Sequence, residues 1–246
     1  MNIEQRDYWE NATPMNFVDE RWTYEQKREF RYSLQDYMHG AIDFDAWRGK
    51  KVLEFGCGSG IDTAEFARNG ALVTAIDITE NACRLTKALA AEAGVRIDVV
   101  QTDSTLPFDD NTFDLVYSFG VLHHIPDVEN TLAEVHRVLK PKGKVIAMVY
   151  NKDSLLYAYS IVHLHKSEDL SEEELTRKYS ERIKDCPYTK VYTKNEAREL
   201  FEQCFADVKI IARYNVIDTP LQRKTKLDID DKYELGWHLI VQGRKE

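Results

Sequence analysis

The chain is poor in several features that would narrow its class. Its 246 residues hold four cysteines, Cys57, Cys83, Cys186 and Cys204, widely spaced and without a Cys-x-x-Cys pair. Such thiols read as reduced, in a cytoplasmic protein. No apolar run approaches the roughly 18 residues of a membrane-spanning helix, so no membrane association is expected. The opening Met1 to Asp7 lacks the apolar stretch of a secretory signal. Positive charge is in deficit, with 33 Lys and Arg against 42 Asp and Glu and a net charge of -9. Neutralising phosphates needs a basic surface, which disfavours a nucleic-acid partner. There is no internal repeat and no low-complexity linker, and the length suits a single domain over residues 1–246 with a well-buried core.

Glycine is also sparse, 11 in all, yet three sit together at Gly56, Gly58 and Gly60. They follow Val52-Leu53, which reads as a short buried strand, and Glu54, an acid two residues before the first of them. Residues 61–69 have helical composition. The loop therefore hands a ligand to a helix N-terminus at the carboxyl edge of a strand. A Gly-x-Gly-x-x-Gly dinucleotide fingerprint needs glycine where Ile61 or Thr63 stands, which disfavours a nicotinamide enzyme. There is no Gly-Lys-Ser/Thr, so the run is not a phosphate-binding P-loop. Ala71 to Ile76 reads as the next strand and ends in Asp77, about 20 residues beyond the glycines, where a Rossmann-type site keeps its ribose-binding carboxylate.

The run Glu54-x-Gly56-x-Gly58-x-Gly60 resembles the first motif of the class I S-adenosylmethionine-dependent methyltransferases. The likeness continues in order through Asp77-Ile78, Asp103-Ser104, the stretch from Leu106 to Ser118, Phe119 to Asp127, and the turn Leu139 to Lys144 before a fifth strand. It is dense over residues 50–150. The resemblance implies a Rossmann-like, doubly wound α/β sheet of seven strands, mostly parallel with an antiparallel last strand. The cofactor it implies is S-adenosyl-L-methionine, released as S-adenosyl-L-homocysteine, held by Glu54, Gly56, Cys57, Gly58, Gly60, Asp77, Ile78, Asp103, Ser104 and Phe119. An acid beside the loop makes electrostatic sense, because the methionine end carries an ammonium and a sulfonium.

Residues 46–150 thus read as the cofactor-binding core, and the remainder as additions to it. Residues 1–45 are rich in aromatics and arginine, and Phe30, Leu34 and Met38 fall at helical spacing. Residues 151–192 form an insertion after the fifth strand and contain a capping-box pattern, Ser171 to Glu174. Thr193 to Glu196 opens a closing helix in the same way, before strands over 206–216 and 235–241 that form an antiparallel hairpin, the second a candidate edge strand. Both additions emerge where ligands bind in open α/β sheets and are expected to form a lid and a substrate pocket, with Arg31, Tyr32, Tyr150, Tyr157 and Tyr188 as candidate acceptor contacts. His123 and His124, after the fourth strand, are the candidate bases, His124 favoured; either equally fits a structural hydrogen bond or a helix cap. His163 and His165 have the wrong spacing for one helix face, and no metal site is expected.

The reading is methyl transfer to an O or N nucleophile of a small molecule, in secondary metabolism, by a monomer or homodimer. Its rivals are a tRNA-directed enzyme and an S-adenosylmethionine-binding protein without transferase activity.

Overall fold

Strand β1, Lys51–Phe55, sets the geometry of the molecule. Its pleat sends Val52 to one side of the sheet and Leu53 and Phe55 to the other, so both faces are covered and the strand reads as a nearly continuous apolar run. In the computed structural model, which describes residues 3–12, 21–102, 105–181, 185–218 and 224–246, β1 pairs in parallel with β2, Leu72–Asp77, and with β4, Phe113–Phe119. Strand β3, Asp98–Gln101, lies outside β2, and β5, Leu139–Tyr150, lies beyond β4. Strand β6, Ala206–Arg213, and β9, His238–Arg244, complete a seven-stranded sheet in the order β3-β2-β1-β4-β5-β9-β6. Only β9 runs against its neighbours. The doubly wound, mostly parallel sheet expected from the sequence is present.

Helices cover both faces. Helix α1 is Ile3–Ala12, α2 Tyr24–Leu34 and α3 Met38–Ile42. Helix α4, Ile61–Arg68, leaves the glycine loop, and α5, Glu80–Glu92, follows β2. Helix α6, Val128–Val138, buries Val128, Leu132, Val135 and Val138 on the sheet. After β5 come a π-helical turn, Leu156–His163, then α7, Glu172–Tyr179, and α8, Lys194–Glu202. Both expected capping boxes form, Ser171 with Glu174 and Thr193 with Glu196.

Four local expectations change. The apolar stripe of Phe30, Leu34 and Met38 does not form one buried face. Helix α2 stops at Leu34 and buries Tyr24, Arg31 and Tyr32 instead, because Arg31 and Tyr32 find a buried acid. Strand β5 begins at Leu139 rather than after the turn, with an irregularity opposite Phe113 and Leu115 and Lys142 at positive φ. The segment 206–216 breaks after Arg213, and Val216–Asp218 (β7) pairs instead with Lys224–Lys226 (β8). Finally, β9 is no edge strand, since it lies between β5 and β6.

That last insertion leaves no room at Gly236. A Cβ there would stand 2.1 Å from the carbonyl oxygen of Arg213 and 2.6 Å from its nitrogen. Backbone cannot swing aside as a side chain can. Gly236→Ala should therefore exceed the usual overpacking cost of about 1–3 kcal/mol. At roughly 2–4 °C per kcal/mol for a chain of this size, a melting midpoint lowered by about 8 °C or more is expected by circular dichroism. An unchanged midpoint would show that the approach of β9 to Arg213 is not held.

Candidate active site

The carboxyl ends of β1, β2, β4 and β5 open onto a cavity of about 300 Å³. Its walls include Glu54 and the loop Gly56-Cys57-Gly58-Ser59 from β1, Asp77 and Ile78 from β2, Phe119 from β4 and Tyr150 from β5. The loop is shaped by positive φ at Gly56 and Gly58. At Gly56 a Cβ would lie 2.3 Å from a Val121 methyl, whereas at Gly58 it would meet no atom within 4 Å. Gly58 is thus an open cradle beside the cavity, where bare backbone can approach a ligand.

Three acids stand around this cradle, Glu54 and Asp62 buried and Asp77 half-buried. Asp77 Oδ2 accepts the Gly58 N–H (3.0 Å), and its Oδ1 accepts the N–H (3.0 Å) and hydroxyl (2.9 Å) of Thr79. Burial still pushes its carboxyl above the usual range. Glu54 accepts the Thr63 hydroxyl and is pushed well above the carboxylate range, first by burial and then by the charge of Asp62. Asp62 instead is held low despite burial, because the Arg31 guanidinium reaches it with two nitrogens (2.8 and 3.3 Å) and the hydroxyls of Tyr32 (3.0 Å) and Tyr117 (2.8 Å) donate to it. A buried cluster of acids with one guanidinium suits a ligand end that brings positive charge. The cradle and these acids fit S-adenosyl-L-methionine.

The additions to the core close the other walls. Helix α1 contributes Tyr8, Trp9 and Ala12, helix α2 contributes Arg31 and Leu34, and the segment after α7 contributes Ser180 and Glu181. Helix α1 is tied to both sides of the cavity. The Glu10 carboxylate accepts the N–H groups of Glu80 and Asn81 at the start of α5 (3.0 and 2.9 Å), and Gln5 donates to the His124 carbonyl (2.7 Å). An acid over the first turn of α5 is well matched to the helix dipole.

His124 reaches the cavity and His123 does not. The His123 ring is fully buried against Tyr150, with centroids 3.8 Å apart, and burial keeps its imidazole neutral, well below the usual pKa. The His124 Nδ1 lies 3.0 Å from the Tyr188 carbonyl oxygen and Nε2 lies 3.5 Å from Glu181 Oε1. Burial opposes the charged form of His124, but contacts with the Cys186 sulfur and the Glu181 carboxylate outweigh it and raise the pKa to about 10. The ring nitrogens of His124 thus face polar groups on both sides, Tyr188 and Thr189 at Nδ1 and Glu181 at Nε2. His123, His124 and Glu181 bring ligand-type atoms within 4.8 Å of one another.

The other sequence candidates divide. Glu54, Gly56, Cys57, Gly58, Asp77, Ile78, Phe119, Arg31 and Tyr150 line the cavity. Gly60, Tyr32, Tyr157 and Tyr188 are not among its lining residues. Gly60 is needed for packing, since a Cβ would stand 2.8 Å from Thr86 Cα. The Tyr157 hydroxyl donates to Glu172 (3.2 Å). Asp103 and Ser104 lie outside the described residues. Sequence reading passed over Asp62, Glu181, Trp237 and His238. For Asp62 and Glu181 no local spacing marks the role, and Trp237 and His238 read as part of an edge strand.

Residues 53–147 match the family model described as a methyltransferase domain. That match, over 95 of the 246 residues, supports a likeness to the class I S-adenosylmethionine-dependent methyltransferases. S-adenosyl-L-methionine is the family's cofactor. Among curated proteins, the chain is 33% identical over 116 residues to a ubiquinone biosynthesis O-methyltransferase of Pseudomonas aeruginosa, covering 46% of this chain and 50% of that protein. A Vibrio atlanticus protein of the same name is 31% identical over 120 residues, covering 48% and 51%. The chain thus spans about half the length of the curated relatives it matches. Among solved structures, the magnesium protoporphyrin IX methyltransferase of Synechocystis PCC 6803, with bound S-adenosylhomocysteine, superposes with a TM-score of 0.63 at 15% identity, covering 98% of each chain. A Pyrococcus horikoshii protein gives 0.63 at 18% identity, covering 98% of this chain and 99% of that one. These two likenesses extend the shared fold over nearly the whole chain.

Proposed function

We propose that this chain catalyses S-adenosylmethionine-dependent methyl transfer to a nitrogen or oxygen of a small molecule, by in-line displacement. One observation carries the reading: the glycine cradle with Asp77 and the group Tyr150, His124 and Glu181 line one and the same cavity. The cofactor supplies a methyl carbon already activated by its sulfonium. Asp77 and the Gly58 backbone would hold its ribose and methionine ends, and Glu54 would sit by the positive charge. The protein's remaining tasks are to orient the nucleophile and keep water out. Helix α1 and residues 151–192 serve these tasks as lid and acceptor wall, since they contribute Trp9 and Glu181. Among the described residues no helix is long and apolar enough to cross a membrane, and the four cysteines are unpaired, which supports work in a reducing compartment.

The net charge of -9 favours a small acceptor over tRNA. Methyl-labelled S-adenosylmethionine incubated with fractionated metabolites should yield S-adenosylhomocysteine only when an acceptor is present, at a rate at least tenfold above background. Tight cofactor binding with no turnover in any fraction would favour a binding protein instead.

A further inference from the structure

Charge and ring faces divide the cavity unevenly. Its walls carry four carboxyl groups, Glu54, Asp62, Asp77 and Glu181, against the guanidinium of Arg31 and the imidazole of His124. Both cationic groups are matched already. Arg31 makes its two-point contact with Asp62, and His124 stands 3.5 Å from Glu181. An acceptor bearing a carboxylate or phosphate would enter a wall with more carboxyl than basic groups, each of these two basic groups already facing an acid.

Glu181 is set apart from the other three acids. It lies beyond α7 in the insertion, its side chain is 18% exposed, and its Oε1 accepts the Tyr150 hydroxyl at 2.7 Å. Aromatic faces surround that position. Tyr150 stacks on Trp237, with centroids 4.2 Å apart and planes 24° apart, and Tyr214 stacks on His238 at 4.8 Å. The Trp9 ring stands 4.7 Å from that of His124. All of these line the cavity. Rings presented together with a carboxylate attract an organic cation, by the ring quadrupole and by a charge in a partly desolvated place.

We infer that the acceptor is an arylalkyl amine, captured as its ammonium by Glu181 among the rings of Trp9, Tyr150 and Trp237; the Glu181 carboxylate takes the ammonium proton, and the freed nitrogen lone pair attacks the methyl as the carbon–sulfur bond breaks. The inference rests on the methyltransferase reading and sharpens it from nitrogen or oxygen to nitrogen. Glu181 is then the specificity-determining residue, with Tyr150 holding its carboxylate in place.

The test uses three probes of one size: 2-phenylethylammonium, 2-phenylethanol and phenylacetate. Each is titrated into the full chain saturated with S-adenosylhomocysteine, read by tryptophan fluorescence and calorimetry. Attraction to the carboxylate and rings should make the ammonium at least about tenfold tighter than the alcohol, a difference of roughly 1.4 kcal/mol, and phenylacetate the weakest. Glu181→Gln, which keeps an oxygen for Tyr150, should bring ammonium and alcohol to within about threefold while S-adenosylhomocysteine still binds. The inference is overturned if the alcohol or phenylacetate binds as tightly as the ammonium, or if none of the three binds to the saturated chain. It is equally overturned if the preference survives in Glu181→Gln. The order of the probes on the wild type decides even if that variant does not fold. Failure of S-adenosylhomocysteine itself to bind would instead remove the methyltransferase reading, and the inference with it.

Discussion

Replacing Asp62 with alanine should cost about 3–5 kcal/mol, the usual penalty for stripping the partner from a buried charge. The Arg31 guanidinium is nine-tenths buried, and Asp62 supplies both of its carboxylate contacts while also accepting the hydroxyls of Tyr32 and Tyr117. Without it three buried donors lose their acceptor, and α2 loses one of its anchors on α4, the Arg28 contact with Glu65 remaining. A melting midpoint lowered by about 10 °C or more is expected, at roughly 2–4 °C per kcal/mol for this size. Removing both charges with Arg31→Met and Asp62→Leu should recover much of the loss, because an apolar pair can replace an ion pair. The pH dependence follows from the sign of the shift. Asp62 is held below its ordinary value of 3.8 by Arg31, against the effect of burial. Its contribution is present above that ordinary value and is lost as pH falls through the lower folded value. Wild type should therefore lose stability in that acid range more steeply than the double variant. Equal acid limbs, or an unchanged midpoint in Asp62→Ala, would refute this account of the cluster.

Asp77→Ala should weaken S-adenosylmethionine binding about 100-fold or more. A Rossmann-type site uses the carboxylate at this strand end to bridge ribose hydroxyls, and hydrogen bonds to a charged group contribute roughly 1.5–3 kcal/mol each. There is a second reason in this chain. Asp77 accepts the Gly58 N–H, so it also fixes the cradle that the methionine end would use. Asp77→Asn, which keeps one acceptor oxygen, should fall between the two. Calorimetric titration of all three proteins decides the matter, with melting curves to show that each is folded. A Kd for Asp77→Ala within threefold of wild type would remove Asp77 from the cofactor site.

The parts of the site legible in the sequence are those that one short stretch encodes. Glycines at alternate positions after Glu54, and Asp77 at the end of the next strand, state a backbone shape and a charge within about two dozen residues. The capping boxes at Ser171 and Thr193 were visible for the same reason, since each involves residues three apart. The order of alternating strands and helices likewise determined a doubly wound sheet.

What only the tertiary structure decided depends on contacts between distant residues, which leave no period in the sequence. His124 meets Glu181 from 57 positions away, and that contact helps to raise the pKa of its ring against the effect of burial. Arg31, 31 positions from Asp62, is spent on an internal acid that no spacing announces. Trp237 faces the cavity because β9 inserts between β5 and β6. Strand pairing is settled by long-range packing, and a run such as Gly236-Trp237-His238 reads the same at an edge as in the middle. The sequence by itself determined the cofactor's cradle, because backbone conformation and charge there are local. The opposite wall of the cavity was decided by the fold, because it is assembled from α1, β5, the insertion and β9.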